Sequence, residues 1–287
     1  MNRSAMMVAA TATALALVGS TAAVAGIKGS KHDLGSGGAG QGTTTVTSEV
    51  CVFCHTPHGS ETAAAVPLWN KALPSGSGYT RYSDLGTATL DGEETTVVGS
   101  VSIACLSCHD GTQAMDVVLN APGSGGYTAP PGAELDPTGI GAMTGTPVPM
   151  LGTDLTNDHP IGIEYAGGAC TNTLNDCTPT AQTGDPDFRV VQYQLLNGKN
   201  QWWVDTGNDP AAGLTEVRDL SGGAVAGTPD VREKTDMILY AQTFSRGEGP
   251  SVECGSCHDP HVAAPDAAPG AVQQVSFLRI DNNNSNV

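Results

Sequence analysis

The chain is poor in the groups from which ordinary domains are built. Of its 287 residues only 14% are charged and 5% aromatic, against about 25% charged in typical globular proteins. Basic residues are scarcest, 12 Lys plus Arg against 29 Asp plus Glu, a net charge of −17. With so little positive surface, neither nucleic-acid phosphates nor anionic lipid headgroups would be neutralised. The acidic balance favours solubility and cationic partners. Long apolar runs are missing too, because no stretch after the N-terminus reaches the roughly 18 residues that a membrane span requires. The shortage of large apolar side chains argues against a conventional core and for some other apolar body at the centre.

Glycine and proline are abundant instead, 37 and 18 residues, and point to many turns and irregular segments. The N-terminus has the layout of a secretion signal. Arg3 gives the positive region, Met6 to Val18 the apolar stretch and Ala23-Val24-Ala25 the small-residue cleavage site. Residues 1–25 are therefore expected to be a signal peptide, with 26–287 the exported chain, periplasmic or extracellular, without a membrane span.

Eight cysteines are present, and six fall into one pattern used three times. These are Cys51-Val52-Phe53-Cys54-His55, Cys105-Leu106-Ser107-Cys108-His109 and Cys254-Gly255-Ser256-Cys257-His258. Cys-x-x-Cys-His is the attachment sequence of c-type haem. Its two thiols bond to the two vinyl groups of one porphyrin, and the adjacent histidine reaches the iron. Zinc sites and disulfides also use Cys-x-x-Cys pairs, but neither demands a histidine directly after the second cysteine three times over. The pattern predicts three covalently bound haems, held by Cys51/Cys54, Cys105/Cys108 and Cys254/Cys257. Cys170 and Cys177 lack a following histidine, and in an exported chain they read as a disulfide.

His55, His109 and His258 would take the proximal positions. His32, His58, His159 and His261 remain as candidates for the opposite faces, with Met115, Met143, Met150 and Met237 as the competing ligand type. Histidine on both sides gives a lower potential than His/Met. His58 and His261 each lie three residues after a proximal histidine, in a His-x-Pro-His arrangement. Three residues span at most about 10 Å, too little to round a porphyrin edge, so each is expected to serve a different haem. His32 and His261 are the better placed to reach a haem outside their own chain, His32 from a Gly-rich arm.

The expected fold is mostly irregular and haem-organised, with short helices at the Cys-x-x-Cys-His sites and a few short strands. Thr44 to Val50 and the β-branched run Thr95 to Ala104 read as strands. Asn197-Gly198-Lys199-Asn200 reads as a hairpin turn, and Asp230 as the cap of a helix from about Val231 to Gln242. No linker divides the exported chain.

Several stretches resemble multihaem c-type cytochromes with doubled Cys-x-x-Cys-His motifs. They are Lys31-His32-Asp33-Leu34, Cys51 to Gly59, Pro67-Leu68-Trp69-Asn70, Cys105 to Thr112, Asp158 to Gly162, Cys254 to His261 and Phe277-Leu278-Arg279. The group includes secreted tetrahaem cytochromes of metal-reducing bacteria, some of which polymerise into extracellular filaments. The matches run in order from about residue 31 to the end; their motifs are specific and the loops between are not. The tetrahaem members carry a further Cys-x-x-Cys-His shortly after the Phe-Leu-Arg segment. Here the given sequence stops at Asn286-Val287 without one, so a haem has been lost, the sequence ends early, or one histidine serves a neighbouring copy.

The resemblance implies electron transfer in periplasmic or extracellular respiration, to redox proteins or extracellular acceptors, with a homopolymeric filament as one form. An iron with both axial positions filled has no room for a substrate, so a non-enzymatic relay is expected. The alternative is a haem-dependent reductase of a small oxyanion, which needs one open iron.

Overall fold

The computed structural model describes residues 26–39, 42–123, 132–136, 139–145, 149–168, 188–189, 191–204, 232, 236–261 and 277–279. The signal peptide at 1–25 and the Cys170/Cys177 pair lie outside these residues.

Backbone pairing in the C-terminal half sets the architecture. Five strands, β1 (Ile163–Glu164), β2 (Gln192–Leu196), β3 (Lys199–Val204), β4 (Met237–Phe244) and β5 (Gly247–Val252), form one sheet in the order β1-β5-β4-β3-β2. Every neighbour is antiparallel. The turn of the β2–β3 hairpin is Asn197-Gly198, with Leu196 opposite Lys199. Both turn residues have positive φ, 51° and 72°, as a two-residue turn matched to strand twist requires. β4 and β5 form a second hairpin, with Phe244 opposite Gly247.

Among the described residues two α-helices accompany the sheet, α1 (Ser100–His109) and α2 (Cys254–Cys257). The fold is thus sheet-dominated, and the expectation of a mostly irregular, haem-organised chain is corrected. What overturns it is the antiparallel ladder of residues 192–204 and 237–252, which satisfies its own backbone groups by pairing. Local assignments change with it. Met237 to Gln242, expected in a helix, belongs to β4, where Leu239 faces Trp202 and Ala241 faces Pro250. A segment flanked on both sides by paired strands has its backbone groups claimed by them; Asp230 and Val231 lie outside the described residues.

The run Thr95 to Ala104 is not a strand either. Its second half opens α1, because Ile103 and Leu106 are buried with Tyr79, Val98 and Leu155, and this packing outweighs the β-branched preference. Thr44 to Val50 is irregular. Thr44 is buried, its Oγ1 donating to Asp136 Oδ2 at 3.0 Å and its N–H to Leu34 O at 2.8 Å.

Among the described residues the buried apolar side chains form three small clusters. One lies at the sheet, with Trp202, Val204, Leu239, Tyr165 and Val191. A second is the α1 cluster, and a third gathers Val52, Phe53, Val118 and Leu135 beside the first cysteine motif. Among the described residues no helix is long and apolar enough to cross a membrane.

Candidate cofactor site

Each motif is bent into a turn by its own backbone. In the first, Cys54 N–H and His55 N–H both donate to Cys51 O, at 3.2 and 2.8 Å. The second is the last turn of α1, and Leu151 N–H donates to His109 O at 2.8 Å. The third is α2, where His258 N–H donates to Cys254 O at 3.0 Å. Here glycine is needed for close approach, because a Cβ on Gly255 would collide with the Tyr240 hydroxyl on β4. Arg279 returns to this motif, its N–H donating to Cys257 O at 2.8 Å and its Nε to Gly255 O at 3.0 Å.

The motifs converge. The neighbouring Cys254 thiol, together with burial, raises the Cys105 thiol well above its usual value. Burial pushes Cys54 up to about 12, with Cys108 close enough to contribute. Ser102 Oγ of α1 donates to Glu253 Oε2, 2.5 Å away, and Cys254 N–H donates to Ser102 Oγ at 3.0 Å. These contacts tie α1 to α2.

The histidines are arranged in pairs. His109 faces His32 with ring centroids 6.1 Å apart, His55 faces His261 at 6.0 Å, and His258 faces His159 at 6.2 Å. The ring planes meet at 78°, 29° and 18° respectively. A metal–imidazole bond is about 2.0 Å and a ring centroid lies roughly 1.1 Å beyond the nitrogen, so two rings on opposite sides of one ion sit about 6.2 Å apart. All three separations match that spacing.

Second contacts orient the rings. His55 Nδ1 is 2.7 Å from Pro67 O, and His109 Nδ1 is 2.7 Å from Pro149 O. A carbonyl only accepts, so Nδ1 carries the proton in both and Nε2 keeps its lone pair, the usual orientation of a metal-binding imidazole. His261 Nδ1 is 3.1 Å from Asp259 Oδ1, which acts alike. Burial, with His109, His261 and His258 nearby, pulls His32 down to about 4. It is therefore neutral at pH 7, as a ligand must be.

His58 is the histidine left over. It is exposed and faces no other histidine among the described residues. His32 and His261, the two better placed to reach outside the chain, each face a motif histidine within it. The reason for His32 is that its arm is docked. Asp33 is buried and accepts from Gly29 N–H at 2.8 Å and Gly35 N–H at 3.1 Å, and Ser36 N–H donates to Thr47 O at 3.0 Å.

A donor set of cysteine pairs and opposed imidazole pairs suits c-type haem. It does not suit tetrahedral zinc, which gathers four ligands about one point; among the described residues no three His, Cys, Asp or Glu side chains so gather.

Residues to which the sequence reading gave no role of their own support the site. Asn70 is fully buried and clamps the first motif to the loop after the second. Its Nδ2 donates to Val52 O at 2.6 Å and Asn120 O at 2.9 Å, and its Oδ1 accepts from Asn120 N–H at 2.9 Å. Trp69 stands edge-on to His55 at 6.1 Å, and Phe277 lies 4.4 Å from His32. Their only sequence signal was membership of the Pro-Leu-Trp-Asn and Phe-Leu-Arg stretches. Lys71 and Glu253 left no signal at all. No protein-family model matches the chain, and no curated protein matches it.

Proposed function

We propose that the protein is an electron carrier with three covalently bound c-type haems, each held between two histidines. The observation that carries this reading is the set of three imidazole pairs at 6.0, 6.1 and 6.2 Å, each containing the histidine of one Cys-x-x-Cys-His motif. Bound haem supplies a one-electron Fe(III)/Fe(II) couple. Cys51/Cys54, Cys105/Cys108 and Cys254/Cys257 would anchor the groups, and the pairs His55/His261, His109/His32 and His258/His159 would hold the irons. With a ligand on both faces the sites have no vacancy for a substrate, so relay rather than catalysis follows.

The chain would work as an exported protein, passing electrons to redox partners or extracellular acceptors, as a soluble shuttle or a filament subunit.

Intact mass under denaturing conditions should exceed that of the bare mature chain by three haems, and oxidised EPR should be wholly low-spin. His159→Ala should turn one of the three high-spin and leave the other two. A mass equal to the bare polypeptide, or to polypeptide plus zinc, would overturn the reading. A high-spin haem that binds cyanide in the unmodified protein would favour an oxyanion reductase instead.

A further inference from the structure

The two edges of the sheet are finished differently. At one edge β1 is capped. Thr95 N–H donates to Gly162 O at 2.7 Å, Glu164 N–H donates to Glu93 O at 2.8 Å, and Glu94 bridges to Ile163. At the other edge lies β2, and among the described residues nothing pairs with its outer side. Leu196 and Lys199 flank the two-residue turn, so they exchange hydrogen bonds, and bonded pairs alternate along the ladder from there. The backbone groups of Gln192, Gln194 and Leu196 therefore face β3, while those of Tyr193 and Leu195 point outward.

An open edge invites another strand, and proteins ordinarily block it with charge, proline, a bulge or brevity. β2 uses none of these. Residues 190–198 carry no charge and no proline, and the register with β3 runs one to one from Gln192 to Leu196. Leu195 is 61% exposed, more than any other large apolar side chain among the described residues.

We propose that β2 is a self-association edge, on which β2 of a second copy pairs antiparallel about a two-fold axis at Gln194. In that register Gln194 faces its own counterpart and Leu195 faces position 193 of the other copy. Every outward N–H then meets an outward C=O. The side-chain rows fit as well. Leu239, Trp202 and position 193 stand opposite one another across β4, β3 and β2, on the face of the buried Trp202 cluster. Leu195 of the second copy becomes the next member of that row, so an exposed leucine joins an apolar one.

Charge selects the same occupant. At −17 two copies repel, and they meet with least penalty along a strip that carries no charge. A strongly acidic or basic foreign strand would find nothing in residues 190–198 to pair with. Because β1 is capped, this contact has no second open edge for head-to-tail growth and closes as a dimer. Pairing at β2 needs no cofactor and stands apart from the haem reading.

The test is sedimentation of the full exported protein over a range of concentration and salt. The unmodified chain should form a dimer that tightens as salt screens the net charge and the rim cations Arg189 and Lys199. Leu195→Lys and Leu195→Glu should each weaken self-association by about tenfold or more, because the two-fold makes residue 195 of the two copies diagonal neighbours about 7–8 Å apart. An equimolar mixture of the two variants should restore the dimer, since opposite charges then meet. Residue-resolved hydrogen exchange adds a reading that needs no variant. The Leu195 amide should exchange freely in dilute protein and slow as concentration rises, with the inward amides of Gln194 and Leu196 protected throughout. A chain that is monomeric at every concentration overturns the proposal, as does an assembly that Leu195→Lys leaves unchanged. Protection of the Leu195 amide that does not vary with concentration also overturns it, since the chain itself would then cover the edge.

Discussion

The sheet at residues 191–204 and 236–252 and the motif-bearing stretch at 42–123 belong to one chain but hold together by different means. In the sheet, backbone groups pair with one another, and Trp202, Val204 and Leu239 pack beside them. In the motif stretch, outside α1, backbone hydrogen bonds join turns and loops instead of a ladder, and buried side chains add to them. Asn70 closes onto Val52 and Asn120, Lys71 onto three carbonyls, and Asp136 onto Thr44. A ladder spreads its stability over many equivalent bonds, whereas a clamp concentrates it in a few side chains. The difference teaches where substitutions will be felt. Sheet stability should respond to the loss of packing volume, and motif geometry to the loss of single polar atoms.

The largest effect should come from Trp202→Ala. Trp202 has 0% exposure in the sheet cluster, and truncating a buried aromatic costs about 3–5 kcal/mol. Denaturant unfolding of the holoprotein should report that loss, and a loss below about 1 kcal/mol would mean that the sheet owes little to its apolar cluster. Next comes Asn70→Ala, which strands buried partners at Val52, Asn120 and the Asn120 N–H. We expect a loss of about 2–3 kcal/mol, with faster hydrogen exchange at Leu119 and Asn120 and none in β3 or β4. Exchange that quickens equally in both regions would erase the distinction between clamp and ladder.

Gly198→Ala should cost about 1–2 kcal/mol, the penalty for a side chain in the left-handed region. Nothing lies within 4 Å of the added Cβ, so the cost is conformational and should appear as a lower melting temperature with motif spectra unchanged. The smallest effect belongs to Arg246→Lys, which keeps a cation opposite the buried Glu164 carboxylate; Nη2 now meets Oε2 at 3.1 Å, and the arginine side chain is 45% exposed. Screening by water limits such a pair to roughly 0–1 kcal/mol, and that small difference should shrink further in high salt.

Local chemistry was legible where it depends on neighbours in the chain. The Asn197-Gly198 turn could be read because two consecutive positive-φ residues are what a two-residue hairpin needs. The cysteine motifs could be read because thiol spacing and the following histidine are set within five residues. Met237 to Gln242 misled because an apolar segment of that length suits either period until its neighbours are known. The first part of α1 misled for the same reason, since Ile103 and Leu106 owe their conformation to Tyr79, Val98 and Leu155.

By itself the sequence determined the three Cys-x-x-Cys-His motifs, the excess of negative charge and one turn. These follow from covalent connectivity and from the dihedral preferences of adjacent residues. The tertiary structure alone decided that a five-stranded sheet carries the fold, that His32 meets His109 while His261 meets His55, and that Lys71 is buried against three carbonyls. Those outcomes depend on which distant segments share space, and burial, pairing and desolvation are properties of that shared space and not of any residue within it.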